Sequence, residues 1–419
     1  MSTATSEAPD IFSAEFAADP HPVYQRMRDE FPVYFHEGSK SWLVSRHEDI
    51  SRILRDKVIT NENYSWQIAP VHGHTIINME GKEHSLHRRL LTPFFHRGGL
   101  ESFKPSISGV AEELLAGPLA REQAAVDAGT KARGQINLET EYFRLLPISV
   151  IARMLDLPKD RLGDFERWYT GIMDFIGNLA DLPEPKERGL RAKDEMTEYF
   201  LPLIAERRGQ GGSDLISLMC DADVNGESLT DEEVRAFISL MITAGGETTD
   251  RALGNMFMRL LQHPDQLQAV YDDRSLIADA FAETLRHTPP VHIAGRTPTE
   301  DYELHGVTIP AGDTITCMVS AGSRDPRKFE DPDRFDIFRK DNDTSKAYTA
   351  AADHLGFANG RHFCVGAMLA RAEVEIGANH VLDTMADLQF AEGFEPVENG
   401  LFTRGVDELQ VTYRPTSAS

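Results

Sequence analysis

Cysteine is scarce in this 419-residue chain: only Cys220, Cys317 and Cys364 occur, and no two stand at metal-ligand spacing. That count argues against a disulfide framework and against a cysteine-based zinc site, and it suits a reducing cytoplasm. Positive charge is also short. Lys and Arg number 43 against 67 Asp and Glu, a net charge of −24 that argues against nucleic acid as a partner. No apolar run approaches the roughly 18 residues of a membrane span. The opening MSTATSEAPDIFSAEFAADP has neither a basic start nor an apolar stretch, so neither a signal peptide nor a membrane anchor is expected. Internal repeats, a phosphate-binding loop and a strand-flanked dinucleotide fingerprint are absent too.

What is present is a 41% apolar composition, enough for a sizeable core. Helical periodicity dominates, for example over 48–54, 85–95, 145–155, 162–176 and 186–206. Strand-like runs are few: 33–35 and 42–44 around a Glu37–Ser39 turn, then 302–309, 314–319 and 409–413. The expected fold class is mainly α with a minor β region. Residues 1–19 read as a flexible N-terminus and 20–419 as one domain, because RGQGGS at 208–213 is only a loop's length.

The longest predicted helix runs from Asp231 to Gln262, about 48 Å at 1.5 Å per residue. Thr230 and Glu233 form a capping box before an apolar face of Val234, Phe237, Ile238, Met241 and Ile242, and Pro264 ends the pattern. In its middle stand Ala244, Gly245, Gly246, Glu247 and Thr248. Two adjacent glycines cost about 1 kcal/mol each against alanine. They read either as a close packing contact or as a local widening that sets an acid and a hydroxyl beside a ligand cleft.

Cys364 ends a glycine-punctuated loop, HLGFANGRHFCVG, directly before a helix-forming run. An isolated cysteine is most often a small buried hydrophobe. Here Phe357, Gly360, Cys364 and Gly366 stand at set intervals, and a helix N-terminus favours an ionised sulfur. This pattern resembles the haem-binding signature of the cytochrome P450 superfamily, the haem-thiolate monooxygenases. Ala358 departs from it, standing where Gly or Ser is commoner, and His362 stands where Arg is common. The Ala244–Thr248 stretch resembles the same family's oxygen-binding motif at every specified place.

The resemblance implies the P450 fold and one haem b, with Cys364 as axial ligand to its iron and Ala244, Gly245, Phe357 and Gly366 lining the cofactor. It makes Thr248 the hydrogen-bonding partner of dioxygen and Glu247 a relay of protons. His84, Arg88, Arg296 and His354 are the implied partners of the haem propionates. Glu283 and Arg286, with Arg334 as third member, would form a structural network. Electrons would come from NAD(P)H through a separate ferredoxin and ferredoxin reductase, docking near Arg361, Arg371 and Arg97.

Family position places the substrate pocket at 62–77 and 168–179, with Phe237, Met241, Val291, His292, Ile293, Leu401 and Phe402. His292 would orient a polar group. A hydrophobic substrate is expected, in hydroxylation or epoxidation during antibiotic or other secondary-metabolite biosynthesis; catabolic terpene or aromatic oxidation is the alternative. A peroxygenase is disfavoured by Glu247 and Thr248, a haem sensor by the lack of room for a partner domain, and a haem-free helical protein by the cysteine loop.

Overall fold

Thr230 caps the longest helix as expected. Its hydroxyl accepts from the Glu233 N–H while the Glu233 carboxylate accepts from the Thr230 N–H. In the computed structural model, which describes residues 7–158, 161–179 and 181–416, this central helix spans Asp231–Gln262. It ends where His263 leaves helical geometry and Pro264 starts the next helix at a position needing no N–H donor. Both apolar stretches are buried, from Val234 to Ile242 and from Leu253 to Leu261. Helices Leu145–Met154, Leu162–Ile176, Pro183–Arg207, Ile277–His287 and Ala367–Thr384 pack around it.

No widening interrupts the helix at its glycine pair, which is α-helical throughout. A Cβ on Gly245 would meet Ile151 Cδ1 at 2.9 Å, so this glycine admits the neighbouring helix. The close-packing reading therefore holds at Gly245, and the widening does not occur.

The minor β region centres on a five-stranded sheet in the order Val33–His36, Ser41–Val44, Ile315–Met318, Ile293–Pro298, Ile59–Thr60. Only the pairing of Ile315–Met318 with Ser41–Val44 is parallel. A second sheet joins Met385–Phe390, Gln410–Pro415 and Gly134–Asn137. Part of the expected flexible N-terminus, from Ile11 to Phe16, is packed. Ile11 and Phe16 are each 2% exposed and pack with Val23, Tyr24 and Met27, so burial of two large apolar side chains holds down a segment read as flexible.

The structural network is corrected at one member. Arg286 makes a two-pronged pair with Glu283 at 2.7 and 2.8 Å, both fully buried. The third cation is Arg339, whose Nε lies 3.1 Å from the Glu283 carboxylate. Arg334 instead points outward, two-thirds exposed, and only its carbonyl accepts from Arg286 and Arg339. The cause is its neighbour: Phe335, 1% exposed, takes the inward position against His263 and His287.

Candidate active site

Between the central helix and the cysteine loop lies a cavity of about 330 Å³. One water needs about 10–15 Å³, so the space suits a large guest. Cys364, Phe357 and Gly366 line it from the loop, and Phe237, Met241, Ala244, Gly245 and Thr248 line it from the central helix. Val291, Ile293, Arg88, Arg296 and Phe402 also reach it, as do residues of the expected 62–77 and 168–179 ranges, among them Tyr64, Ile76, Met173 and Ile176.

The loop geometry is specific to its residues. Gly360 has φ +73°, and a Cβ there would run into the Leu54 carbonyl. Ala358 takes φ 56°, in the left-handed region that glycine occupies without penalty, which gives its departure from the usual Gly a physical meaning. The Cys364 N–H donates to the Phe357 carbonyl at 3.0 Å. Burial pushes its thiol up, while the N–H groups of Gly366 and Ala367 and the nearby Arg88 guanidinium pull it down.

A basic cluster stands at the cavity edge. Arg88 donates to the Phe363 carbonyl at 2.8 Å and Arg296 to the Gly295 carbonyl at 2.6 Å, and neither has a carboxylate partner among the described residues. Arg361 and His362 share Glu80, at 3.2 and 3.1 Å. Burial raises the Glu80 carboxyl, but the His362 and Asn61 hydrogen bonds and the Arg361 charge outweigh it and hold it near 2. His84 lies behind His362, ring centroids 4.3 Å apart, with Nε2 buried and unpartnered; burial lowers its imidazole to about 4. An anion is what this surplus of guanidinium donors lacks. A thiol in a glycine cradle beside such a cluster fits haem, which needs one axial donor and partners for two carboxylates.

His354, Leu401 and His292 are placed differently from expectation. His354 does not reach the cavity, since both ring nitrogens are used inside the loop, with the Ala347 carbonyl at 2.9 Å and the Gly356 N–H at 3.2 Å. Leu401 packs against the N-terminal cluster. His292 is 2% exposed and its Nδ1 hydrogen-bonds the Tyr24 hydroxyl at 3.1 Å, while its Nε2 is buried without a partner; burial lowers this core histidine to about 3.

Glu247 turns away from the cavity while Thr248 lines it, its hydroxyl donating to the Ala244 carbonyl at 2.6 Å. Burial pushes the Glu247 carboxyl up. Thr403, which sequence reasoning missed, links the two sides: it lines the cavity and donates to Glu247 Oε1 at 2.6 Å. His72 was read only within a pocket-lining range. Fully buried, it bonds Ser239 at 2.8 Å and Thr243 at 3.1 Å, and burial lowers it to about 3, so it is a neutral polar spot on an apolar wall.

A family model described as cytochrome P450 matches residues 170–386. The pulcherriminic acid synthase of Bacillus subtilis (strain 168) is 35% identical over 405 residues, covering 96% of this chain and 97% of that protein. The chain belongs to the cytochrome P450 family. Cytochrome P450 monooxygenase PikC of Streptomyces venezuelae is 33% identical over 384 residues, covering 89% and 86% of the two chains. Among solved structures, the bacillaene polyketide synthase cytochrome P450 PksS of Bacillus subtilis 168 superposes with TM-score 0.82 at 28% identity, covering 96% and 98%. The protein is thus a P450 monooxygenase with relatives in bacterial secondary metabolism, and its fold is that of a haem enzyme. Among the described residues no helix is long and apolar enough to cross a membrane.

Proposed function

We propose that this P450 oxidises a hydrophobic natural-product intermediate in the cytoplasm, with Cys364 as the axial thiolate of haem b. One observation carries the reading: a single large cavity is lined by the cysteine loop on one side and by Ala244, Gly245 and Thr248 on the other. Bound there, haem supplies two-electron activation of dioxygen, with one oxygen atom going to substrate and the other to water.

The chain's own residues do the rest. Arg88 and Arg296, which have no carboxylate partner among the described residues, would hold the propionates, with His84 and the Glu80-bound His362 behind them. Thr248 presents to the cavity a hydroxyl that would hydrogen-bond dioxygen there. Glu247, whose carboxyl burial pushes up, passes protons toward the cavity by way of Thr403. Phe237, Met241, Ile293 and Phe402 hold an apolar substrate and exclude water, and the His72–Thr243 pair gives it one polar contact.

Electrons are taken to come from NAD(P)H through a ferredoxin and its reductase. Secondary metabolism is favoured over catabolism by what the relatives' names state. The test is the spectrum of the reduced, carbon monoxide-bound protein. A thiolate-type Soret band that is lost in Cys364→Ser is expected, and an unchanged band in that variant would sink the assignment. Haem spectral shifts across a library of apolar compounds then sort substrate classes.

A further inference from the structure

Next to Glu247 lies a group of acids that the oxygen chemistry does not use. Glu139, in a single wide helical turn at Glu139–Phe143, is 0% exposed, and Asp250, on the central helix, is 3% exposed. The two carboxyls lie within hydrogen-bonding reach of each other. Both Glu139 oxygens and Asp250 Oδ1 are buried with no donor to satisfy them. Gly254 makes room for this placement, since a Cβ there would come within 2.7 Å of Glu139 Oε2. An isolated buried carboxylate pair is forbidden by mutual repulsion and lost hydration unless one member keeps its proton.

The charged and titratable groups around the pair come from four elements. Arg144 follows the wide turn and stands 4.0 Å from Glu139 Oε1. The central helix adds Glu247 and Arg251, and Arg251 lies 3.8 Å from Glu247 and 2.8 Å from Asp407 of the C-terminal segment. Helix Leu162–Ile176 adds Tyr169, whose hydroxyl burial keeps neutral, and Asp174. The two nearby guanidiniums face Glu139, Asp250, Glu247 and Asp407, four carboxyls for two cations.

We propose that Glu139 and Asp250 share one proton and act as positioning residues for Glu247, holding the charge beside it at one negative unit. This rests on the proton-delivery reading of Glu247. The protonated partner donates to the ionised one, which gives one oxygen of each carboxyl a partner and leaves Arg251 to pair with Glu247 and Asp407. A second ionisation would add a charge next to Glu247 and raise its carboxyl out of working range.

Two measurements on the full-length haem protein test this. Infrared difference spectra at neutral pH, wild type minus Glu139→Gln and wild type minus Asp250→Asn, should each show the loss of one protonated-carboxyl band, because the remaining acid ionises. If either variant instead loses only carboxylate absorbance, with no protonated band, the shared proton is overturned. The pH profile of product formed per electron is the second readout. Either single variant leaves one negative charge and should keep the basic limb in place. The double variant, in which an amide-to-amide hydrogen bond replaces the pair, should move it down by about one pH unit. A single variant that shifts the limb as far as the double one does would overturn the positioning role. Should Glu247→Gln leave the product yield per electron unchanged, the reading of Glu247 fails, while the infrared result still decides the shared proton.

Discussion

Ala358 holds a left-handed backbone at φ 56° in the cysteine loop, where an L-residue with a Cβ is strained by about 1–2 kcal/mol. Glycine would relieve that strain and lose some of the gain to its greater unfolded-state entropy. Ala358→Gly is therefore expected to raise stability by up to ~1 kcal/mol in urea unfolding; a lower midpoint would mean that the Ala358 methyl packs better than its backbone is strained. A second buried group gives a pH signature. Glu373, 1% exposed beside Thr249, is pushed by burial from 4.5 up to about 8. An acid raised in the folded state holds its proton while the unfolded chain releases it, so stability falls as pH rises from about 4.5 to about 8 and levels off above. Glu373→Gln should flatten that slope, and urea titrations across the window would show an unchanged slope if the carboxyl were already ionised.

Elements with strong local signals were legible before any coordinates. The central helix has its expected ends because Thr230, Glu233 and Pro264 act on their own neighbours. The Cys364 loop and the Ala244–Thr248 stretch were readable for the same reason: each is one short segment with fixed spacing. What escaped was set by distant partners. Thr403 meets Glu247 across 156 positions, and Glu139 reaches Asp250 from a turn without periodicity. The choice between Arg334 and Arg339 was decided by which residue Phe335 displaced outward, a tertiary event. Hence Arg339→Met should cost ~1.5–3 kcal/mol, the worth of hydrogen bonds to a buried charge that keeps Arg286. Arg334→Ala should stay within about 0.5 kcal/mol. Equal losses from the two, read by urea unfolding, would restore Arg334 to the network.

Across the whole molecule, the net charge of −24 makes long-range repulsion of an acidic electron carrier the default, so productive docking needs a local reversal of sign. The cysteine face offers Arg361 and Arg371, each about one-third exposed; the Arg97 side chain lies outside the described residues. Arg361 is tied to Glu80 and to the Ile59 carbonyl, so its loss would also disturb the loop. Arg371 is the cleaner probe: it stacks over Tyr348 at 4.6 Å and pairs with Glu375 at 2.6 Å on the helix that follows Cys364. Arg371→Glu converts that pair into two like charges on the proposed docking face. Reduction of the haem by ferredoxin should slow strongly at low salt and recover toward wild type once the Debye length falls from about 30 Å at 0.01 M to about 3 Å at 1 M. The spectrum of the carbon monoxide complex should stay unchanged, which separates a docking effect from damage to the thiolate site. A reduction rate insensitive to the substitution at both salt concentrations would move the docking face elsewhere on the molecule.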